Sequence, residues 1–127
     1  MRRGPSTGKP TKSEAARIVA AKEGPCIACL VLAEQGRIPD WKAHVGCDYH
    51  HLLSGGRRRG HRFGIALCGH HHRRIPDFGC SHAEMRETYG PSLMDGSRLF
   101  RDAFGDDETL LAKQDALLGI DTQDEAA

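Results

Sequence analysis

One short stretch of the chain concentrates the residue types that bind metals and phosphate. Residues 49–74 read YHHLLSGGRRRGHRFGIALCGHHHRR and hold six of the eight histidines, one cysteine and six arginines. Histidine and cysteine are ligands of transition metals, and arginine binds phosphate through its planar guanidinium group. This combination suits a site at which a metal ion helps to cut a polyanion.

Two pairs of metal ligands with the same spacing predict a structural zinc site. Cys26 and Cys29 are separated by two residues, and Cys68 and His71 repeat that spacing at a predicted strand-to-helix junction. A separation of two residues lets both side chains of a pair reach one tetrahedral ion. The alternative for Cys29 or Cys68 is a small buried hydrophobic side chain. The matched pairs favour a Cys3His zinc site.

The other histidines of this stretch predict a second site. His50 and His51 are neighbours on a predicted strand, so their side chains point to opposite faces and cannot both bind one metal. His72 follows His71 at the start of a predicted helix and is turned about 100° away from it, a direction that could lead toward the strand. A catalytic metal needs few protein ligands, and a histidine base beside it would activate water. Two histidines are expected to be ordinary hydrogen-bonded or exposed side chains: His44 and His82.

Length and cysteine content limit the class of protein. A chain of 127 residues is one domain at most, and 39% hydrophobic residues make a lean core that a metal would stabilise. Five cysteines cannot all pair with one another. With no apolar run long enough for a membrane span and no signal peptide, we expect a cytoplasmic protein with zinc-binding cysteines. Cys47 is expected to be a core thiol, and Cys80 to be structural or incidental.

The net charge of +1 conceals a strong asymmetry. Residues 1–74 carry 14 Lys/Arg against 5 Asp/Glu, and residues 75–127 carry 4 against 12. The basic half contains the metal ligands, and its charge favours binding to nucleic acid, although charge runs are also common on solvated surfaces. The acidic half is either a surface for a partner or ordinary helix packing.

The predicted elements place the metal ligands at both ends of a β-hairpin. A helix begins at Thr11, which forms a capping box with Glu14, and ends at Gly24. Residues 26–30 form a turn, and residues 44–53 and 63–67 form two strands that feed a helix near residue 70. A capped helix follows, and then two helices separated near Gly105, with leucines 110, 111, 117 and 118 in the core. The fold class is therefore α+β.

These motifs resemble a known family of nucleases. The segments CIAC, HHLLSGGRRRGH, ALCGHHHR and FRDAFGDDETLL occur in the order found in the recombination enhancement function (Ref) family, whose members are phage-encoded, RecA-dependent nucleases of the HNH, or ββα-metal, superfamily. The resemblance covers residues 12–118. It implies a small ββα-metal core with a zinc knuckle, flanked by an N-terminal helix and C-terminal helices. The expected division is a disordered basic arm (1–10), an HNH nuclease domain with its structural zinc (11–119) and an acidic disordered tail (120–127).

The resemblance also implies roles for individual residues. His50 and His72 would bind a catalytic Mg²⁺ or Mn²⁺, and His51 would be the general base. His61 would fill the second position of the motif, where it orients the base or closes the loop. Arginine suits phosphate, so the arginines around the hairpin are expected to bind DNA: Arg57, Arg58, Arg59, Arg62, Arg73 and Arg74.

The implied function is cleavage of single-stranded DNA or a D-loop under the direction of a RecA filament. A monomer is expected, encoded by a phage or prophage and acting in the cytoplasm of the bacterial host. The N-terminal arm would be a non-specific DNA tether. One alternative is a non-catalytic zinc-binding module that docks nucleic acid or a recombinase, and it leaves His50, His51 and His72 unexplained. Another is an HNH homing or packaging nuclease with no link to RecA.

Overall fold

Local sequence signals set the helix starts in the computed structural model, which describes residues 8–119. The first helix begins after Thr11, whose side chain and that of Glu14 cap each other's backbone amides as predicted. Ser81 and Glu84 form the same capping box at a later helix. The elements follow one another in this order: α1 (Lys12–Glu23), α2 (Ile27–Glu34), β1 (Asp48–His51), β2 (Leu53–Ser54), β3 (Arg57–Arg58), β4 (Gly64–Leu67), α3 (Gly69–Arg73), α4 (His82–Tyr89), α5 (Ser97–Phe104) and α6 (Asp107–Leu118).

The predicted hairpin is present but is divided into two ladders. β1 pairs antiparallel with β4, with His50 opposite Ile65, and β2 pairs with β3 around a turn at Gly55 and Gly56. Both glycines have positive φ, at 60° and 79°, which a side chain would strain. The described residues thus form six helices and two small antiparallel sheets, which confirms the α+β class.

The core lies between β4 and the helices on either side of it. β4 is buried along its whole length, α1 and α6 contact it, and α2 contacts β4, α5 and α6. Ile27, Leu32 and Ile65 are almost completely buried there. The backbone amide of Ala66 donates a hydrogen bond of 2.7 Å to the Gln114 side chain. A side chain of α6 therefore supplies a hydrogen-bond acceptor to β4, whose one partner strand among the described residues is β1.

Two local predictions were wrong in detail. The segment after Cys26 is the helix α2 rather than a turn, since the sulfur of Cys26 caps it by accepting from the amide of Cys29 at 3.4 Å. Of the leucines on α6, Leu110 and Leu111 are buried as expected, but Leu117 is 46% exposed. Within residues 8–119 no helix is long and apolar enough to cross a membrane. The predicted arm and tail lie largely outside the described residues.

Candidate metal centre and catalytic histidines

The two spaced pairs of the sequence meet in one buried cluster. The N-terminus of α2 presents Cys26 and Cys29, while the junction of β4 and α3 presents Cys68 and His71. All four ligand atoms lie within 4.8 Å of one another, and all four residues are buried. Because α2 packs on β4, two short local motifs from distant parts of the chain reach the same point.

The distances in the cluster fit a tetrahedral zinc ion. His71 Nδ1 is 3.4 Å from the sulfur of Cys26, 3.8 Å from that of Cys29 and 3.3 Å from that of Cys68. With bonds of about 2.3 Å to sulfur and about 2.0 Å to nitrogen, a tetrahedral ion places these atoms roughly 3.6 Å apart. The cluster can therefore hold zinc without rearrangement of its ligands.

The electrostatics of the cluster also favour a divalent cation. Burial raises the pKa of Cys26 well above its usual range, and hydrogen bonds from Cys26 and Cys29 hold the pKa of Cys68 well below its own. Two thiols thus crowd around the one thiolate in a buried site, and a zinc ion would stabilise all three cysteines as thiolates.

Groups outside the ligand set fix its geometry. His71 Nε2 donates to the Tyr89 carbonyl at 2.8 Å, which leaves Nδ1 as the ligand atom, as is usual for metal-binding histidines. His44 Nδ1 lies 3.4 Å from the Cys29 sulfur, and its Nε2 lies 3.4 Å from Asp77. The expectation that His44 is hydrogen bonded is correct, but its place beside the cluster was not foreseen.

One face of β1 brings His50 to His72. Their rings lie 5.2 Å apart between centroids, inclined at 59°. Asp48, two residues before His50 and on the same face, lies with Oδ2 2.9 Å from His72 Nδ1 and 2.9 Å from Arg73 Nε. The hydrogen bond to Asp48 occupies Nδ1 of His72 and leaves its Nε2 available to a metal.

The opposite face of β1 carries His51 and Tyr49. His51 Nε2 lies 3.1 Å from His61 Nδ1, and the Tyr49 hydroxyl donates to the His61 carbonyl at 2.6 Å. His61 Nε2 in turn contacts the carbonyl oxygen of Gly8. The neighbouring histidines are therefore separated as the strand geometry predicted, one toward His72 and one toward His61.

Both strand histidines are held neutral. Burial, together with the nearby His72 and His51, lowers the pKa of His50 to about 4. Burial and the charge of Arg58 also lower the pKa of His51, with His61 contributing. A neutral imidazole is the form that binds a metal and the form that accepts a proton. The site thus prepares its histidines for either role near pH 7.

The six arginines expected to bind DNA fall into different environments. Arg57 and Arg58 are exposed on β3, and Arg62 lies over the Phe63 ring. The other three have carboxylate partners: Arg59 with Glu108 at 2.6 Å, Arg73 with Asp48 at 2.9 Å, and Arg74 with Asp95 at 3.3 Å. DNA binding by these six stays a prediction, and the three ion pairs would compete with phosphate for their side chains.

A buried ion pair supports the strand from behind and was missed from the sequence. Arg17, 6% exposed, binds Asp115 at 2.6 Å and donates to the carbonyl of Gly64 and the hydroxyl of Tyr49, both at 3.0 Å. Asp48 was missed as well. The sequence did indicate its position, because Asp48 and His50 are two residues apart on a strand and must share a face.

Comparison with protein families identifies the class to which this site belongs. The family model for recombination enhancement, RecA-dependent nucleases matches residues 10–119. The chain therefore belongs to that family, which confirms the resemblance seen in its motifs. No curated protein matches the chain significantly. Membership connects the chain to nuclease activity and to recombination, with DNA and RecA as the implied partners.

Proposed function

We propose that the protein is a metal-dependent endonuclease of the HNH type that hydrolyses DNA phosphodiester bonds where a RecA filament directs it. The observation that carries the proposal is the arrangement of β1, whose two faces present one histidine to His72 and the next to His61. A hydrolase of this kind needs a metal-binding pair and a neutral base, and His50 and His51 are near enough for their charges to interact although they lie on opposite faces of the strand. Family membership supports nuclease activity and implies that DNA and RecA are the partners.

His50 and His72 are the residues that would hold the catalytic ion. Their rings lie 5.2 Å apart, and a cleft beside His50 leaves space for phosphate and water oxygens, the donors that Mg²⁺ and Mn²⁺ prefer. When bound, such an ion would polarise the scissile phosphate and stabilise the negative charge of the leaving oxygen. Asp48 keeps His72 oriented through its Nδ1.

His51 is the proposed general base. Since His61 Nε2 donates to the carbonyl of Gly8, His61 Nδ1 is left to accept a hydrogen bond from His51 Nε2. His51 Nδ1 is then the unprotonated nitrogen that can take a proton from water. The attack of that water in line with the 3′-oxygen would give 5′-phosphate and 3′-hydroxyl ends. His61 orients the base and does not itself touch the water.

The proposal extends to the biological setting implied by the family. The substrate would be single-stranded DNA or a D-loop formed by the RecA filament, the enzyme a monomer, and its place the cytoplasm of a bacterium that carries it on a phage or prophage. The Cys3His cluster would hold a structural Zn²⁺ that fixes α3, and with it His72, against β1.

A cleavage assay tests the proposal. Plasmid and single-stranded DNA are incubated with Mg²⁺ or Mn²⁺, with and without RecA, ATP and a targeting oligonucleotide. His51→Ala should lower the rate by about 10²–10⁴-fold, the usual contribution of a general base. His82→Ala, which changes an exposed histidine at the start of α4, is the matched control and should leave the rate unchanged.

The zinc content of each variant separates catalysis from folding. Loss of cleavage in His51→Ala with full zinc content supports the proposal, and a requirement for RecA supports the directed mode. If no protein cuts under any condition while zinc and DNA binding are intact, the non-catalytic zinc module is the better account. Cleavage of bare DNA without RecA would instead favour an HNH nuclease that needs no filament.

A further inference from the structure

A cleft of about 440 Å³ adjoins His50, and the mechanism above uses only its end beside that residue. The β2–β3 hairpin forms one wall, and α5 and the first turn of α6 form the other. Its volume lies in the range of small-ligand sites in proteins. Because His50 is a proposed ligand of the catalytic ion, whatever enters the cleft lies next to the scissile phosphate.

The shape of the cleft is fixed by its walls. Gly55 and Gly56 bring no side chain to the rim, and an added Cβ at either position would meet nothing within 4 Å. The hairpin is tied to α6 by the ion pair of Arg59 with Glu108, at 2.6 Å. Phe100 from α5 lines the interior. The cleft therefore has an open rim and an apolar interior.

Arg101 is the basic residue that lines the cleft. It is exposed, and within residues 8–119 it makes no ion pair, in contrast to Arg59, Arg73 and Arg74, although its charge helps to lower the pKa of Asp106. The one carboxylate in the lining, Asp107, is in the first turn of α6 and disfavours phosphate at that end. A phosphate in the cleft would consequently lie on the side of Arg101.

We propose that this cleft is a nucleotide subsite, in which Arg101 binds the phosphate that adjoins the scissile one. The sugar and base would lie between the hairpin and α5, against the exposed side chain of Leu53. The subsite rests on the proposed nuclease function and deepens it. It also gives a purpose to the late motif FRDAFGDDETLL, which supplies Arg101 and Asp107 from the acidic half of the chain.

The test compares two arginines on the same helix. Arg101→Ala is matched with Arg98→Ala, which removes an exposed arginine of α5 that does not line the cleft. Binding of a fluorescent single-stranded oligonucleotide is measured by anisotropy over a range of salt concentrations. Arg101→Ala should weaken binding about tenfold and reduce the slope of log affinity against log salt by about one. Arg101→Lys should restore the slope, since the charge returns.

The kinetic readout and the controls make each outcome decisive. In cleavage assays Arg101→Ala should raise KM with little change in kcat, because the phosphate contact is present before and during the reaction. Thermal unfolding of both variants verifies that they are folded. If Arg101→Ala and Arg98→Ala bind equally and wild type still cuts, the subsite is refuted and the nuclease proposal stands. If wild type binds DNA but never cuts, the nuclease proposal fails, while the comparison of binding still decides the subsite.

Discussion

Replacement of Asp48 by alanine should weaken binding of the proposed catalytic ion. The carboxylate of Asp48 holds His72 through Nδ1 at 2.9 Å, and this contact decides which nitrogen of His72 is free. Without it the ring can rotate or change tautomer, so binding of the ion must also supply the free energy that orders the ring. Loss of such a partner behind a metal ligand costs 10- to 100-fold in metal affinity as a rule.

The exposure of the pair places the expected loss at the lower end of that range. The side chains of His72 and Asp48 are 25% and 33% exposed, so water screens the interaction in part. A hydrogen bond to a charged group contributes about 1.5–3 kcal/mol, and screening reduces this to about 1.4 kcal/mol, or about tenfold in affinity. Asp48→Asn keeps an acceptor without the charge. Because a neutral hydrogen bond is about half as strong as a charge-assisted one, this variant should lose about half of that free energy, or about threefold in metal affinity.

Isothermal titration with Mn²⁺, on protein with a full complement of zinc, measures the effect directly. Arg73→Ala is the control, since it removes the second partner of the Asp48 carboxylate and leaves the bond to His72 in place. The cleavage rate at limiting Mn²⁺ should follow the affinities. The reasoning is wrong if Asp48→Ala binds Mn²⁺ as wild type does. It is also wrong if Arg73→Ala loses as much affinity, because the ion pair would then be the cause.

Two further predictions concern the stability of the fold. Cys68→Ser, or removal of zinc by a chelator, should abolish cooperative unfolding in far-UV circular dichroism, because the site joins α2 to α3. The control is Cys80→Ser, which lies outside the cluster and should unfold as wild type does. Asp115→Asn should lower the free energy of unfolding in urea by about 3 kcal/mol, since it leaves Arg17 charged and buried. Glu34→Gln, which breaks an exposed pair, should change it by less than about 1 kcal/mol, and equal effects would contradict the argument.

Features that depend on a few neighbouring residues could be predicted from the sequence. The capping boxes at Thr11 and Ser81 involve residues three positions apart, and both formed. The zinc cluster joins two segments about 40 residues apart, but each half carries the same spacing, and that repetition is a signal in itself. The alternation of side chains along a strand likewise predicted that His50 and His51 point to opposite faces.

Features that depend on contacts between distant segments could not be predicted. Nothing near Arg17 in the sequence marks it as buried, because its partner Asp115 is 98 positions away. Val19 is an apolar residue of α1 that a sequence would place in the core, yet it is 54% exposed. α1 instead turns Arg17 and Ala21 inward, since the carboxylate of α6 compensates the buried charge.

The charge asymmetry of the sequence is partly cancelled in the folded chain, and this bears on where DNA can bind. Three acidic residues of the second half pair with arginines of the first: Asp95 with Arg74, Glu108 with Arg59, and Asp115 with Arg17. For these three residues the pairing favours a role in packing within the chain over a surface for a partner.

A DNA-binding face therefore cannot be assigned to the basic half of the sequence as a whole. It must be assembled from the arginines that are left to bind phosphate, and these come from both halves. Arg57 on the hairpin and Arg101 on α5 make no ion pair within residues 8–119, and of these two Arg101 lines the cleft beside His50. In the proposed subsite, a strand that enters beside His50 would meet Arg101 from the acidic half, so its phosphate contacts would not depend on the basic half alone.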